Sequence, residues 1–333
     1  MNGCRLPAPR RSLAFPPSCQ PAVSPATFEL VKSKLPLPLY LTGATGSGKS
    51  AAALLLAERT GGEIICADAY QVYDAMPVLT AQPTPEERAR APHHLYGSVP
   101  VSEDMDAGRF EKTALTIIED VRSRGKLPIV CGGSGLYIKS LTHGLSPLPP
   151  GNPALRQELE AQSIYQLAER LMELDPGSAD QLNLENPRHV VRALEICILT
   201  GKPASELKQS WAMPRSGVRG VFLDCQRQDL YERIDARTHA MVENGVLEEV
   251  TRLSDMELST TASKTIGLWD FRAVVDEATS LEEAVASVQQ ATRNYAKRQV
   301  TWFRRETAFV NLEVSPGMSA AKVAKRIADI FGF

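Results

Sequence analysis

LYLTGATGSGKSAAALLLAERTGGEIICAD, residues 39–68, changes character twice within a short span. Leu39–Thr42 is an apolar run of buried-strand type. Residues 43–50 carry Gly-x-x-x-x-Gly-Lys-Ser, and residues 50–60 have the Ala and Leu richness of a helix closed by Gly61-Gly62. EIICAD then reads as a second buried strand ending at Asp68. Strand, loop, helix, strand is the opening of a parallel sheet with helical crossovers, so the fold class is α/β with a P-loop-type core. In such sheets ligands gather at the carboxyl ends of the strands, which brings Asp68 near the loop. Along Gly43, Ala44, Thr45, Gly46, Ser47, Gly48, Lys49 and Ser50, the glycines let successive N–H groups point at phosphate oxygens. Lys49 adds a point charge, and the Ser50 hydroxyl can ligate Mg²⁺. The pattern specifies a diphosphate or triphosphate without saying which.

Further along, a helix over about 107–124 leads to KLPIVCGGSGLY, where another apolar strand stops at Gly132-Gly133 and a helix begins near Leu136. Ser134 is thereby delivered to the same sheet edge. After the proline-rich 144–153 the pattern is helical with no strand, and residues 145–218 read as an inserted helical domain. GVRGVFLDC returns to the sheet, and the chain beyond Asp229 is expected to be mainly helical. The catalytic core then comprises 36–144 and 219–333. Residues 1–35, with Arg5, Arg10, Arg11, many prolines and Glu29 as the one acid, are too poor in periodic apolar residues to pack and read as a disordered N-terminal extension.

With 333 residues, 43% of them hydrophobic, the chain can bury a large core. No stretch reaches the roughly 18 apolar residues of a membrane helix, so no membrane association is expected and the cytoplasm is the expected location. The six cysteines are scattered with no CxxC pair, which excludes a zinc ribbon and fits a reducing compartment. A net charge of −2 excludes nucleic-acid binding by bulk charge and leaves only local clusters. One such cluster lies on a C-terminal helix. At about 100° per residue, Arg293, Lys297, Arg298, Arg304 and Arg305 share an arc, with Tyr295, Ala296, Trp302 and Phe303 opposite. This fits a helix that packs by its aromatics and offers cations to phosphates, although a solvated face gives the same pattern. His93-His94 has no third ligand at metal spacing. Asp68 can be a metal-associated carboxylate of an NTPase, a general base, or a helix cap.

Seven motifs, GATGSGKS, DAYQVYDAMPVLTAQPTPEE, PHHLYG, GGSGLY, RHVVRALEICILTGKP, IGLWDF and ATRNYAKRQVTWFRR, follow one another in an order and spacing that resembles the tRNA dimethylallyltransferases (tRNA isopentenyltransferases) of bacterial type. The match runs from about Leu39 to about Arg305. The resemblance implies transfer of a dimethylallyl group from dimethylallyl diphosphate to N6 of adenosine 37 in tRNA, with Mg²⁺ as cofactor and the anticodon stem-loop and dimethylallyl diphosphate as partners. A monomer is expected. It implies that Asp68 is the general base, that Lys49, Ser134 and Arg227 serve the diphosphate and the chemistry, and that Ser50 holds the metal. It places Asp68, Ala69, Tyr70 and Gln71 around the adenine, with Arg188, Arg192, Arg293 and Lys297 as tRNA contacts and 145–218 as a tRNA-binding domain. A channel entered from opposite mouths follows. Ala69 and Gln82 depart from the family's DSxQ and TAKP, and Ser134 replaces its usual Thr. Two enzyme alternatives remain: an adenylate isopentenyltransferase that uses free nucleotide, and a P-loop kinase or NTPase. A non-catalytic RNA-binding module is the third, and it leaves the loop without a purpose.

Overall fold

The strand opening at Leu39 forms as the apolar run predicts, and it is buried along its whole length because both faces of the sheet are covered. In the computed structural model, which describes residues 35–145, 148–207 and 214–333, β1 (Leu39–Gly43) is followed by α1 (Lys49–Thr60), β2 (Glu63–Cys66), α2 (Pro85–Arg90) and β3 (His93–His94). Next come α3 (Ala107–Ser123), β4 (Pro128–Gly132) and α4 (Gly135–His143). Among the described residues five helices succeed one another before the sheet resumes: α5 (Pro153–Glu160), α6 (Ile164–Leu174), α7 (Pro176–Gln181), α8 (Pro187–Thr200) and α9 (Ala204–Leu207). The chain closes with β5 (Arg219–Cys225), α10 (Arg227–Glu243), α11 (Val246–Leu253), α12 (Leu268–Val275), α13 (Leu281–Phe303), β6 (Phe309–Val314) and α14 (Ala320–Phe331). Apart from Leu35, the proposed disordered extension lies outside the described residues.

The sheet has six parallel strands in the order β3-β2-β4-β1-β5-β6. Because β1 sits between β4 and β5, the loops after β1 and β4 leave the same edge of neighbouring strands, and the chain from β2 arrives one strand away. This is where an α/β sheet offers a crevice. Two strands were not legible as strands. β6 interrupts a C-terminal part that is otherwise mainly helical, as expected: it is an edge strand that buries only Leu312 and Val314, too few positions to make an apolar run. β3 is two residues long and pairs with Ile64 and Ile65 of β2.

Residues from α5 to α9 bury their own apolar cluster, centred on Leu159, Leu167, Leu171, Val190 and Leu194, separate from the cluster that covers the sheet. Each such leucine contributes about 1.5–3 kcal/mol by leaving water. Two buried carboxylates tie these helices together. Asp175 accepts from Ser178 N (3.0 Å), heading α7, and from Ser205 N (2.9 Å) in α9. Glu195 accepts from Arg156 Nε and Nη2 (both 3.0 Å) and from Arg192. Burial pushes the Glu195 pKa up, but these donors outweigh it and hold the carboxyl below its ordinary value. No helix among the described residues is long and apolar enough to cross a membrane.

Candidate active site

The loop after β1 turns through Gly46 (φ 81°) and Gly48 (φ 82°), left-handed backbone that a side chain would strain, and enters α1 at Lys49. Gly46, Gly48, Lys49 and Ser50 at this helix start line a cavity of about 470 Å³, and the N–H groups of a helix start, which have no intrahelical partner, suit an anion. Lys49 lines it and is buried; its Nζ donates to Ala44 O at 3.3 Å and makes no ion pair with the described residues. Burial lowers the Lys49 pKa, against the opposing pull of Cys131 and Asp68. Two more cations reach the same cavity from α10. Arg233 Nη1 donates to Gly46 O at 3.3 Å, and Arg237, one turn further, lines the cavity with no ion pair among the described residues. Burial lowers the Arg237 pKa while Asp68 pulls the other way. Three cations that line one cavity and make no ion pair among the described residues suit an anion of high charge.

A further part of the lining is built on the residues after β2. Asp68 Oδ1 accepts from Tyr70 N (3.0 Å) and Gln71 N (3.4 Å), so the carboxylate is fixed by its own turn. The Gln71 side-chain amide donates to Thr80 O (3.0 Å) and Ala81 O (2.6 Å), binding this turn to the 78–82 loop. That loop is pinned by the fully buried Glu249, which accepts from Val78 N (2.9 Å) and Leu79 N (2.8 Å). Burial raises the Glu249 pKa even though both N–H groups favour its ionised form. Gln82 donates to Tyr73 O (2.7 Å) and accepts from Arg88 Nη2 (3.1 Å), so the residue that departs from the family pattern is held in the cavity wall.

β4 docks its end against this turn. A Cβ on Gly132 would run into the Ala67 carbonyl, and Ser134 N donates to Ala67 O at 3.2 Å. The Ser134 hydroxyl accepts from Ala69 N at 2.8 Å and also meets the Tyr295 hydroxyl. Tyr295 packs on Tyr70 with ring centroids 6.2 Å apart and carries the Arg298 guanidinium at 5.6 Å.

The structure therefore brings Thr45, Gly46, Gly48, Lys49, Ser50, Asp68, Tyr70 and Gln71 into one cavity. Several other sequence candidates lie elsewhere. Arg227 is the exposed first residue of α10 and does not line the cavity; Arg233 and Arg237, two and three turns on, do. Arg233 and Arg237 were missed because LYERIDARTHA resembles a solvated helix. Arg237 nonetheless falls on the stripe of the buried Leu230, Ile234 and Met241, and a cation on a core stripe is the signal that could have found it. Ser134 supports the Asp68 turn from behind, outside the cavity wall.

The basic arc of α13 is divided. Arg293 reaches Asp235 of α10 at 2.5 Å and lies over Tyr231, so it ties two helices together. Arg304 pairs with Asp224 at 3.1 Å. Lys297, Arg298 and Arg305 line a second groove of about 570 Å³ with Trp302, which is partly exposed there instead of packing inward. Arg192 is spent on Glu195 and Pro149 O. Arg188 is exposed at the start of α8, near enough for its charge to act on Tyr70. His94 pairs with Glu63 at 2.8 Å, and no cluster of His, Cys, Asp and Glu fit to hold a metal occurs among the described residues.

A family model described as IPP transferase matches residues 71–306. A tRNA dimethylallyltransferase from Akkermansia muciniphila is 42% identical over 294 residues, 88% of this chain and 99% of that protein. The chain belongs to the tRNA dimethylallyltransferase family. A second tRNA dimethylallyltransferase, from Phenylobacterium zucineum, is 42% identical over 274 residues, 80% of this chain and 89% of that protein. The fold agrees with solved members of the family. A tRNA delta(2)-isopentenylpyrophosphate transferase from Staphylococcus epidermidis superposes with a TM-score of 0.63 at 30% identity, over 89% of this chain and 99% of that one. A eukaryotic dimethylallyltransferase captured acting on tRNA superposes with a TM-score of 0.74 at 27% identity, over 89% of this chain and 78% of that one.

Proposed function

We propose that the chain transfers the dimethylallyl group of dimethylallyl diphosphate to N6 of adenosine 37 in tRNA, in the cytoplasm. One observation carries this reading: a single cavity is lined both by a phosphate-cradling loop with Lys49, Arg233 and Arg237 and by Asp68, Tyr70 and Gln71. In the reaction the C1–O bond of the donor breaks, the N6–C1 bond forms, the diphosphate departs and the N6 proton passes to Asp68. Negative charge grows on the diphosphate as the allylic carbon becomes positive, so the loop N–H groups, Lys49, Arg233 and Arg237 bind the transition state more tightly than the ground state. Asp68, oriented by two backbone N–H groups, accepts the proton as the N6–C1 bond forms. Ser50, an exposed residue at the head of α1 whose hydroxyl meets the Cys131 thiol, offers one hard oxygen beside the loop that would hold Mg²⁺. When bound, that ion neutralises charge on the diphosphate.

For N6 to reach the cavity, adenosine 37 leaves the anticodon stack, at a cost of a few kcal/mol. Lys297, Arg298 and Arg305 beside Trp302 offer phosphate and stacking contacts for the surrounding loop, and Arg188 on the α5–α9 helices offers another from beyond Tyr70. These cations favour a large RNA acceptor over a free nucleotide. The test is mass spectrometry of nucleosides from unmodified tRNA incubated with the protein, Mg²⁺ and dimethylallyl diphosphate, with AMP as competitor. N6-isopentenyladenosine at position 37 is expected. Prenylated AMP with untouched tRNA would replace this reading with the free-nucleotide one.

A further inference from the structure

We propose that Gln299, a residue of α13 outside the lining of the cavity, is a positioning residue for the phosphate loop; the proposal rests on the reading that this loop holds a diphosphate. Gln299 is buried, and its single amide group reaches two different loops. Its Oε1 accepts from Thr45 N at 2.8 Å, and its Nε2 donates to Gly133 O at 3.0 Å. It thereby joins the loop after β1 to the turn after β4, the turn whose Ser134 holds Ala69 N beside Asp68. The approach leaves no room for a side chain at residue 133, where a Cβ would collide with the Gln299 amide.

The consequence lies in which N–H groups are free. Thr45 lies at the start of the turn closed by Ser47 N donating to Ala44 O at 3.1 Å. With its own N–H committed to Gln299, Thr45 cannot swing its peptide toward the cavity, and the N–H groups further along, at the head of α1, are left aimed inward. Removing the amide strands a buried donor and a buried acceptor. The loop can then satisfy them only by rearranging, and ligand binding must restore the conformation that Gln299 holds in advance. Because α13 also carries Lys297 and Arg298 into the basic groove, the same helix that faces RNA fixes the diphosphate loop.

Titration calorimetry of the full chain with inorganic pyrophosphate and Mg²⁺ tests this, using wild type, Gln299→Met and Gln299→Glu, with circular dichroism as the check on folding. Gln299→Met keeps the length without the polar atoms and is expected to bind pyrophosphate about tenfold more weakly. Gln299→Glu supplies a signature that packing alone cannot give. A protonated carboxyl reproduces both hydrogen bonds, accepting from Thr45 N and donating to Gly133 O, whereas the carboxylate opposes the Gly133 carbonyl. Its affinity relative to wild type, measured at each pH so that the titration of pyrophosphate cancels, is expected to recover as the pH falls. Wild type that fails to bind pyrophosphate overturns the diphosphate reading and this assignment together. Wild-type binding matched or exceeded by Gln299→Met, or a Gln299→Glu ratio that is flat with pH, overturns the assignment alone.

Discussion

Lys49→Met separates what the cavity does for ligand from what it does for the fold. Lys49 is buried, its ammonium meets one carbonyl, and it makes no ion pair with the described residues. A buried cation without a partner anion costs stability, so an apolar side chain of similar length leaves the unliganded protein as stable or more so. The diphosphate feels the opposite. Two unit charges about 4 Å apart in surroundings of effective dielectric about 20 attract by about 4 kcal/mol, and roughly half survives where the cavity is open to water. At about 1.4 kcal/mol per decade, the loss is about 30- to 1000-fold in pyrophosphate affinity. Calorimetry for affinity and thermal melting for stability check both signs. The pH dependence follows from the same burial. The folded pKa lies below the ordinary lysine value, so the unfolded chain binds the proton more readily, and wild type gains stability relative to Lys49→Met as pH rises toward that ordinary value. A change in affinity below threefold, or a melting temperature lowered by several degrees, would refute the reasoning.

Asp68→Asn is expected to lower prenyl transfer by about 10²- to 10⁴-fold, measured as single-turnover rates, while pyrophosphate binding stays equal or tightens. Glu249→Gln can accept from only one of Val78 N and Leu79 N, so it strands a buried donor; denaturant melts should show a loss of about 1–3 kcal/mol. Glu195→Gln weakens the tie between α5 and α8. Because the Glu195 pKa is depressed, its stabilisation is present above the ordinary glutamate pKa and fades as pH falls through the depressed value, so wild type and variant should converge in acid. Lys297→Ala should weaken binding of an anticodon stem-loop and reduce the slope of log affinity against log salt by about 0.7–0.9.

Much of this architecture was legible because it is locally encoded. The glycine spacing from Gly43 to Ser50, the Ala-rich helix behind it and the apolar run ending before Asp68 each carry their own signal, and together they required a parallel sheet with the loop and Asp68 at one edge. The parts that were not legible depend on partners distant in sequence. β6 forms because β5 offers an edge, and its own six residues bury only two side chains. Arg293 sits on the arc that periodicity offered to phosphates or to solvent, yet Asp235, far away in sequence, claims it. Arg227 and Arg233 are both arginines of one helix, and only the packing of α10 against the loop after β1 decides that Arg233 reaches it. Gln299 lies in the motif ATRNYAKRQVTWFRR but carries no charge to mark a role; its importance emerges only when Thr45 and Gly133 are seen on either side of it.

The central claim is that this loop grips the leaving group of an isoprenoid donor and not the phosphates of a consumed nucleotide. Competitive calorimetry with Mg²⁺, titrating dimethylallyl diphosphate into protein alone and into protein saturated with ATP, measures that preference directly. The account predicts binding of dimethylallyl diphosphate that excess ATP barely weakens. Tight ATP binding that blocks dimethylallyl diphosphate would contradict it.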